Sequence, residues 1–359
     1  MSDASRHLLV RSMSRRLRVA PALLIVALGV ALALYMSPSR AGSTVDAAPV
    51  RAVSGVAITV GDMDRSVDFY STVLFFEKVS DVQTSGPEIA RLLGVPGARV
   101  RVVTMRLGAE RIELVEDLDP RGPPVPADAR SNDRWSQRIA IIVNDMDQAY
   151  LWLRRHHVAQ ASVEPRRLLD WNPNAGGVRA FSFEDPDGHA LEILQFPAGQ
   201  GDARWQRPSD RVFLGIDHTS IVVGDTERSL GFYRDTLGLR IIGESENHGL
   251  EQERLNNVPG ARLRITTLRA TEGPAIELLE YLAPRDGRPN PPGTMANDLV
   301  RWQTLLLTTD AESAGTGLSA SPGAPVSRGV VSIADAPLGF RRGYAAEDPD
   351  GHRVQVRAR

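Results

Sequence analysis

From residue 216 to 223 the chain is a run rich in β-branched residues that carries one histidine, His218. Beyond it Leu230, Tyr233 and Leu237 recur at helical spacing. This change of period predicts a strand followed by an amphipathic helix that packs back on a sheet. Asp225 or Thr226 supplies the N-cap, Gly238 stops the helix, and extended chain resumes over residues 239–243. The same phrase stands earlier, at residues 55–79. Asp62 and Asp225, Arg65 and Arg228, and Tyr70 and Tyr233 are each 163 positions apart, as 225 − 62. The stretches VPGAR (95–99) and EDPDGH (184–189) return at the same offset, at 258–262 and 347–352. Two copies of one domain therefore lie in tandem, with a period far longer than that of a solenoid repeat. A weaker echo inside each copy, at 139–149 and 305–313, divides them into four related modules.

Modules one and three read strand, helix, strand, short helical insert, then a hairpin. In module one these are 53–60, 65–74, 77–81, 88–93, 100–107 and 111–116; in module three, 216–223, 227–237, 240–245, 250–256, 262–268 and 275–281. Pro-rich connectors at 119–127 and 283–293 close them at matching places and suit extended chain. Module two has its own helix over 146–156. Module four is expected to lack one, because 310–327 is full of Gly, Ser and Pro. The two Asp-Pro-Asp-Gly runs are turn chemistry between the last strands of modules two and four. The expected organisation is a leader (1–41), a first domain (53–197, modules 53–118 and 134–197), a linker (198–211) and a second domain (212–358, modules 212–282 and 298–358).

Arginines at 6, 11, 15, 16 and 18 precede an uncharged apolar run at 19–36. At about 1.5 Å per residue it reaches roughly 27 Å, close to a bilayer core. Ser39-Arg40-Ala41 offers a small-x-small cleavage site. The expectation is an export signal or membrane anchor, with the folded part periplasmic or extracellular. The absence of cysteine excludes disulfides, thiolate ligands and a catalytic thiol. A formal net charge of −2 with interleaved signs gives no nucleic-acid footprint, so no nucleic-acid partner is expected and the membrane is touched only through the leader. Lys78 is the one lysine, which reads as biased composition rather than phosphate recognition.

The paired βαβββ modules, the phrase HxxxxVxDxxRSxxFYxxxLG and the DPDGH ending resemble the vicinal oxygen chelate superfamily. That group includes glyoxalase I, bleomycin-resistance proteins, methylmalonyl-CoA epimerases and extradiol dioxygenases. The resemblance covers nearly everything from Val53 onward. It implies an α+β fold of two tandem domains with cupped mixed sheets, each cup holding a divalent metal and a small-molecule ligand. It also implies one metal ligand from each module's first strand and one from its last. Carried onto this chain, those places are His218, Glu277, Gln303 and Gln355 in the second domain, and Gly55, Glu113, Arg138 and Glu192 in the first. The second set can take nickel, zinc, iron or manganese, with Glu277 as the catalytic carboxylate. Core or pocket residues without metal are the other reading of His218 and the glutamines.

The first set is degenerate, because Gly55 offers no ligand atom and Arg138 brings a fixed cation. Arg138 is instead expected to bridge Glu113 and Glu192. A dioxygenase site needs two histidines and a carboxylate and is disfavoured. A metal-dependent lyase or isomerase of the glyoxalase type and a non-catalytic sequestering protein both stay open, as does a dimer with exchanged modules. Trp135, Trp171 and Trp302 wall a pocket or pack in the core, the loop 171–177 is a lid candidate, and His156, His157, His189, His248 and His352 read as surface or turn residues.

Overall fold

The computed structural model describes residues 50–172 and 175–358. The apolar run at 19–36 and the cleavage site lie outside them. Among the described residues no helix is long and apolar enough to cross a membrane.

Module one holds β1 (Ala52–Thr59), α1 (Met63–Asp68), β2 (Glu77–Ser85), α2 (Pro87–Leu93), β3 (Arg99–Leu107) and β4 (Glu110–Asp119). Module two holds β5 (Gln137–Val143), α3 (Met146–Arg155), β6 (Ala159–Gln160), β7 (Arg166–Arg167), β8 (Arg179–Glu184) and β9 (Ala190–Gln195). Module three holds β10 (Phe213–Val223), α4 (Thr226–Leu230), β11 (Arg240–His248), α5 (Leu250–Asn256), β12 (Arg262–Arg269) and β13 (Ala275–Ala283). Module four holds β14 (Trp302–Leu307), α6 (Ala311–Ser319), β15 (Ala324–Pro325), β16 (Val331–Ser332), β17 (Arg342–Glu347) and β18 (Arg353–Ala358). Asp62 and Asp225 cap α1 and α4, accepting from Arg65 N at 3.0 Å and Arg228 N at 2.9 Å.

The strands form two nine-stranded mixed sheets, and the modules are exchanged between them. Antiparallel pairing of β1 with β14 joins module one to module four. Antiparallel pairing of β5 with β10 joins module two to module three. This corrects the grouping read from the sequence, in which consecutive modules shared a cup. Consecutive modules pack through the opposite, apolar faces of their strands. Ile58 and Ile112 of module one share a core with Ile141 and Phe181 of module two. Ile221 and Leu278 of module three likewise meet Leu306 and Val356 of module four. Strand alternation leaves each sheet a second face, and those faces form two cups, the β1/β14 cup and the β5/β10 cup.

The two sequence motifs turn out to be partners in one latch between consecutive modules. The Tyr70 hydroxyl donates to Asp185 Oδ2 at 3.2 Å, and His189 Nδ1 lies 2.8 Å from the same oxygen. Asp187 accepts from Gly61 N at 3.1 Å and from Arg65 Nη2 at 2.5 Å. In the second copy Tyr233 donates to Asp348 at 3.0 Å, His352 Nδ1 stands 3.0 Å from it, and Asp350 accepts from Gly224 N at 2.9 Å. His189 and His352 are only 3% and 2% exposed, so their assignment to the surface is corrected. Each aspartate at the start of the turn is buried with its donors already in place, which keeps its polar atoms satisfied.

Module four does form a helix where a loop was expected. Asp310 caps α6 by accepting from Glu312 N at 3.0 Å and Ser313 N at 3.2 Å, and Ala311, Ala314 and Leu318 bury one face. Gly315 is a packing requirement here, since a Cβ would meet the Tyr344 ring at 3.1 Å.

Candidate functional site

The exchange of modules regroups the candidate residues. His218, Glu277, Arg138 and Glu192 share the β5/β10 cup, whereas Gly55, Glu113, Gln303 and Gln355 share the other. On β10 and β5, His218 pairs with Ala140 and Ser220 with Arg138. Ser220 is also in register with Glu277, and Ala140 with Glu192. A local two-fold thus relates the His218–Glu277 pair to the Arg138–Glu192 pair across the seam of the sheet. Both pairs line one cavity of about 440 Å³.

His218 Nε2 stands 3.1 Å from Glu277 Oε2, and Nδ1 stands 3.0 Å from Asp217 Oδ2. Adjacent strand residues normally face opposite ways, yet Asp217 and His218 both reach the cup. The register of β10 against β5 shifts between Ile216 and His218, and this bulge turns both side chains to one side. Burial opposes charge on His218, but Glu277, Asp217 and Glu192 outweigh it and push its pKa up to about 9. Burial likewise opposes ionisation of Asp217, but the hydrogen bond and charge of His218, then Trp205, hold its pKa below the ordinary carboxylate value. Trp205 Nε1 donates to Asp217 at 2.8 Å. The segment 198–211, expected as a plain linker, therefore builds the site, and its Gln200 and Asp202 also line the cavity.

The other half is looser. Arg138 Nη1 lies 3.9 Å from Glu192 Oε1, an ion pair beyond hydrogen-bond reach, and Ser182 Oγ donates to Glu192 at 3.4 Å. Arg138 does not bridge Glu113, which lies on the other sheet. One wall is a chain of buried side-chain amides: Asn172 donates to Asn247 (2.5 Å), Asn247 to Gln252 (3.1 Å), Gln252 to Asn256 (2.9 Å) and Asn256 to Tyr281 (2.5 Å). Asn172, near the start of the lid candidate, is thereby tied to β11, and residues 173 and 174 of that candidate lie outside the described residues. Trp171 stacks on His248 at 4.4 Å, Trp135 is buried beside Arg288, and Trp302 joins the core, so none of the three walls this cavity.

In the β1/β14 cup the internal cation is Arg357. Its Nη1 and Nη2 donate to the two oxygens of Glu113 at 2.5 and 2.8 Å, and its Nε donates to Gln355 Oε1 at 2.5 Å. Gln355 in turn donates to Gln303 at 3.3 Å. Gly55 has φ +143°, and a Cβ there would meet Arg111 O at 2.1 Å, so this place excludes any side chain. Alternation from Gln355 would have pointed to Arg357, two residues on along the same face. Nothing in the sequence marked the bulge at Asp217.

A divalent metal fits neither cup. In the β1/β14 cup a guanidinium already occupies the carboxylate and amide oxygens. In the β5/β10 cup both ring nitrogens of His218 are engaged by carboxylates, Thr267 donates to the remaining oxygen of Glu277 at 3.0 Å, and the fourth place holds Arg138. Among the described residues no three His, Asp or Glu side chains gather as a metal-ligand group.

A model of the family described as Glyoxalase/Bleomycin resistance protein/Dioxygenase superfamily matches residues 52–193 and 215–356, the two tandem glyoxalase-like domains. The 2-epi-5-epi-valiolone epimerase of Actinomyces sp is 33% identical over 153 residues, covering 41% of this chain and 81% of that protein. Glyoxalase I from Zea mays shares the fold with a TM-score of 0.56 at 15% identity, over 86% of this chain and 92% of that one. A Bacillus subtilis protein proposed to be a dioxygenase does so with a TM-score of 0.52 at 15% identity, over 87% and 86%.

Proposed function

The chain belongs to the glyoxalase/bleomycin resistance protein/dioxygenase superfamily, and from that premise we propose that its β5/β10 cup is an isomerase site. Its reaction is the transfer of a proton at the carbon beside a carbonyl of a small polar molecule. The observation that carries this reading is the pairing in one cavity of an imidazolium–carboxylate unit, His218–Glu277, with a second carboxylate held beside a cation, Glu192–Arg138.

Removing a proton beside a carbonyl needs a base and a positive group for the oxygen that gains charge. Glu192 is the base, taking the proton as the carbon's electron pair moves to the carbonyl oxygen. Arg138 stands beside it as the fixed cation that faces that oxygen. His218, protonated with its pKa near 9, is the acid that returns a proton from the other half of the cup. Glu192 then releases its proton to solvent and His218 regains one from water by way of Glu277, so both groups return to their starting charge without a redox partner. Divalent metals are common in this superfamily, and here Arg138 provides the positive charge a metal supplies elsewhere. The amide wall suits a ligand rich in hydroxyl groups.

The similarity to an epimerase supports this class of reaction and makes 2-epi-5-epi-valiolone the compound to test first. With it in deuterated water, NMR should show exchange at the carbon beside the carbonyl, slowed by about 10²–10⁴-fold in Glu192→Gln. Binding without exchange would instead mark a sequestering protein. The proposal extends to location: export with removal of the leader makes Gly42 the first residue of the mature chain, which N-terminal sequencing of protein from a bacterial periplasm reads directly. Recovery of an intact N-terminus from the cytoplasm alone would overturn export.

A further inference from the structure

At the matching places the β1/β14 cup keeps one titratable group, Glu113, and Arg357 holds both of its oxygens. Gly55 stands where the other cup has His218, and Gln303 and Gln355 are amides that do not titrate. A cavity of about 360 Å³ nevertheless remains above Arg357. Its walls are apolar on one side, from Val82, Val102, Leu305, Leu338 and Phe340. A flap between β16 and β17 crosses it, with Asp335 and Ala336 both held in the left-handed region at φ 56° and 46°. Two successive non-glycine residues there are unfavourable on their own, and such conformations cluster at ligand clamps. Phe340 of this flap packs on the Arg357 guanidinium at 4.5 Å.

The charge in this cup is opposite to that of its neighbour. The residues lining the β5/β10 cavity include five carboxylates against two guanidiniums and His218. Those lining the β1/β14 cavity include one carboxylate, Glu113, against two guanidiniums, Arg111 and Arg357. Arg357 is consumed by Glu113. Arg111 lies two residues before Glu113 on β4, hence on the same face, and makes no ion pair among the described residues. Ser54, Ser80 and Thr104 add hydroxyls to the lining. A cavity with an apolar wall and one unspent cation discriminates against cations and favours an amphipathic anion.

We propose that the β1/β14 cup is a second, non-catalytic site that binds a small organic monocarboxylate, with its carboxylate at Arg111 and its apolar body against the Phe340 flap. The site is independent of the chemistry assigned to the other cup. Calorimetric titration of the purified protein with octanoate, and with uncharged octanamide, tests it. Octanoate should bind with one site per chain at least tenfold more tightly than octanamide. Arg111→Met should weaken octanoate at least tenfold, leave octanamide unchanged and leave the melting temperature intact. Glu192→Gln, in the other cup, should leave octanoate binding as it was, so a failure of the isomerase reading does not reach this site. Equal affinity for acid and amide, octanoate binding undiminished in Arg111→Met, or no octanoate binding at all would each overturn the proposal.

Discussion

Arg357→Met removes the cation that holds both oxygens of Glu113 and one oxygen of Gln355. The methionine stem still packs on Phe340, so the change is chiefly one of charge. The Arg357 and Glu113 side chains are 8% and 14% exposed, and that decides the scale. A solvent-exposed pair would cost about 0–1 kcal/mol, whereas stranding one enclosed charge costs roughly 3–5 kcal/mol. Glu113→Leu combined with Arg357→Met removes both charges and should cost no more than about 1 kcal/mol, since apolar replacements of enclosed pairs are often neutral. Urea unfolding followed by tryptophan fluorescence reads the difference. With a slope on the order of 3 kcal/mol per molar, the single variant's midpoint falls by roughly 1–1.7 M, and the double variant returns to within about 0.3 M of the parent. A single variant shifted by less than about 0.3 M, or a double variant as unstable as the single, would refute the view that this guanidinium neutralises a buried acid.

Arg138→His places a second imidazole with His218, Glu277 and Glu192. Nickel or zinc should then raise the melting temperature of the variant alone, by the equivalent of about 2.7 kcal/mol at a hundredfold excess over Kd; equal shifts in both proteins would show that Arg138 does not exclude the metal. The imidazole of His218, raised from 6.5 to about 9, should titrate near pH 9 by NMR. Its stabilising contribution is complete below about pH 6.5 and fades as pH rises through about 9, so His218→Asn should flatten the loss of stability over that window; a midpoint at or below 6.5 contradicts the assignment. Tyr233→Phe should cost roughly 1.5–3 kcal/mol by chemical unfolding, because its hydroxyl donates to a buried acid, and a loss under about 0.5 kcal/mol would count against the latch. Burial works against charge on Asp348, but His352 and Tyr233 hold its pKa below 3.8, so its contribution is present above pH 3.8 and lost as pH falls through the lower folded value. Acid unfolding of the Tyr233→Phe variant should accordingly begin at higher pH than in the parent.

The two-fold repetition of the chain makes the latch intelligible. The FY tyrosine of one module and the DPDGH turn of the next are far apart in sequence, and each looks complete alone. In the fold they are a single contact, Tyr70 with Asp185 and Tyr233 with Asp348. The residues that carry the family resemblance thus hold consecutive modules together, while the cups are built from the less repetitive positions between them.

Local pattern alone gave the four modules, the strand-to-helix switch after Val60 and Val223, and a cap at Asp225 or Thr226; the strand positions that face a cup came from the family resemblance. The modules, the switch and the cap depend on period and on neighbours within a few residues, which the chain states directly. Only the tertiary structure decided which modules share a sheet. Pairing β1 with β5 or with β14 would bury the same alternating faces, so no periodicity separates the two. That one choice placed Arg138 and Glu192 beside His218 and Glu277, and left Gln303 and Gln355 to Arg357. The helix α6 escaped notice because Gly315 and Gly317 lower helix propensity, while the packing of Gly315 against Tyr344 rewards the absence of a side chain. Asp217 escaped it because a bulge overrides strand alternation, and Trp205 because a linker's contacts are long-range by nature.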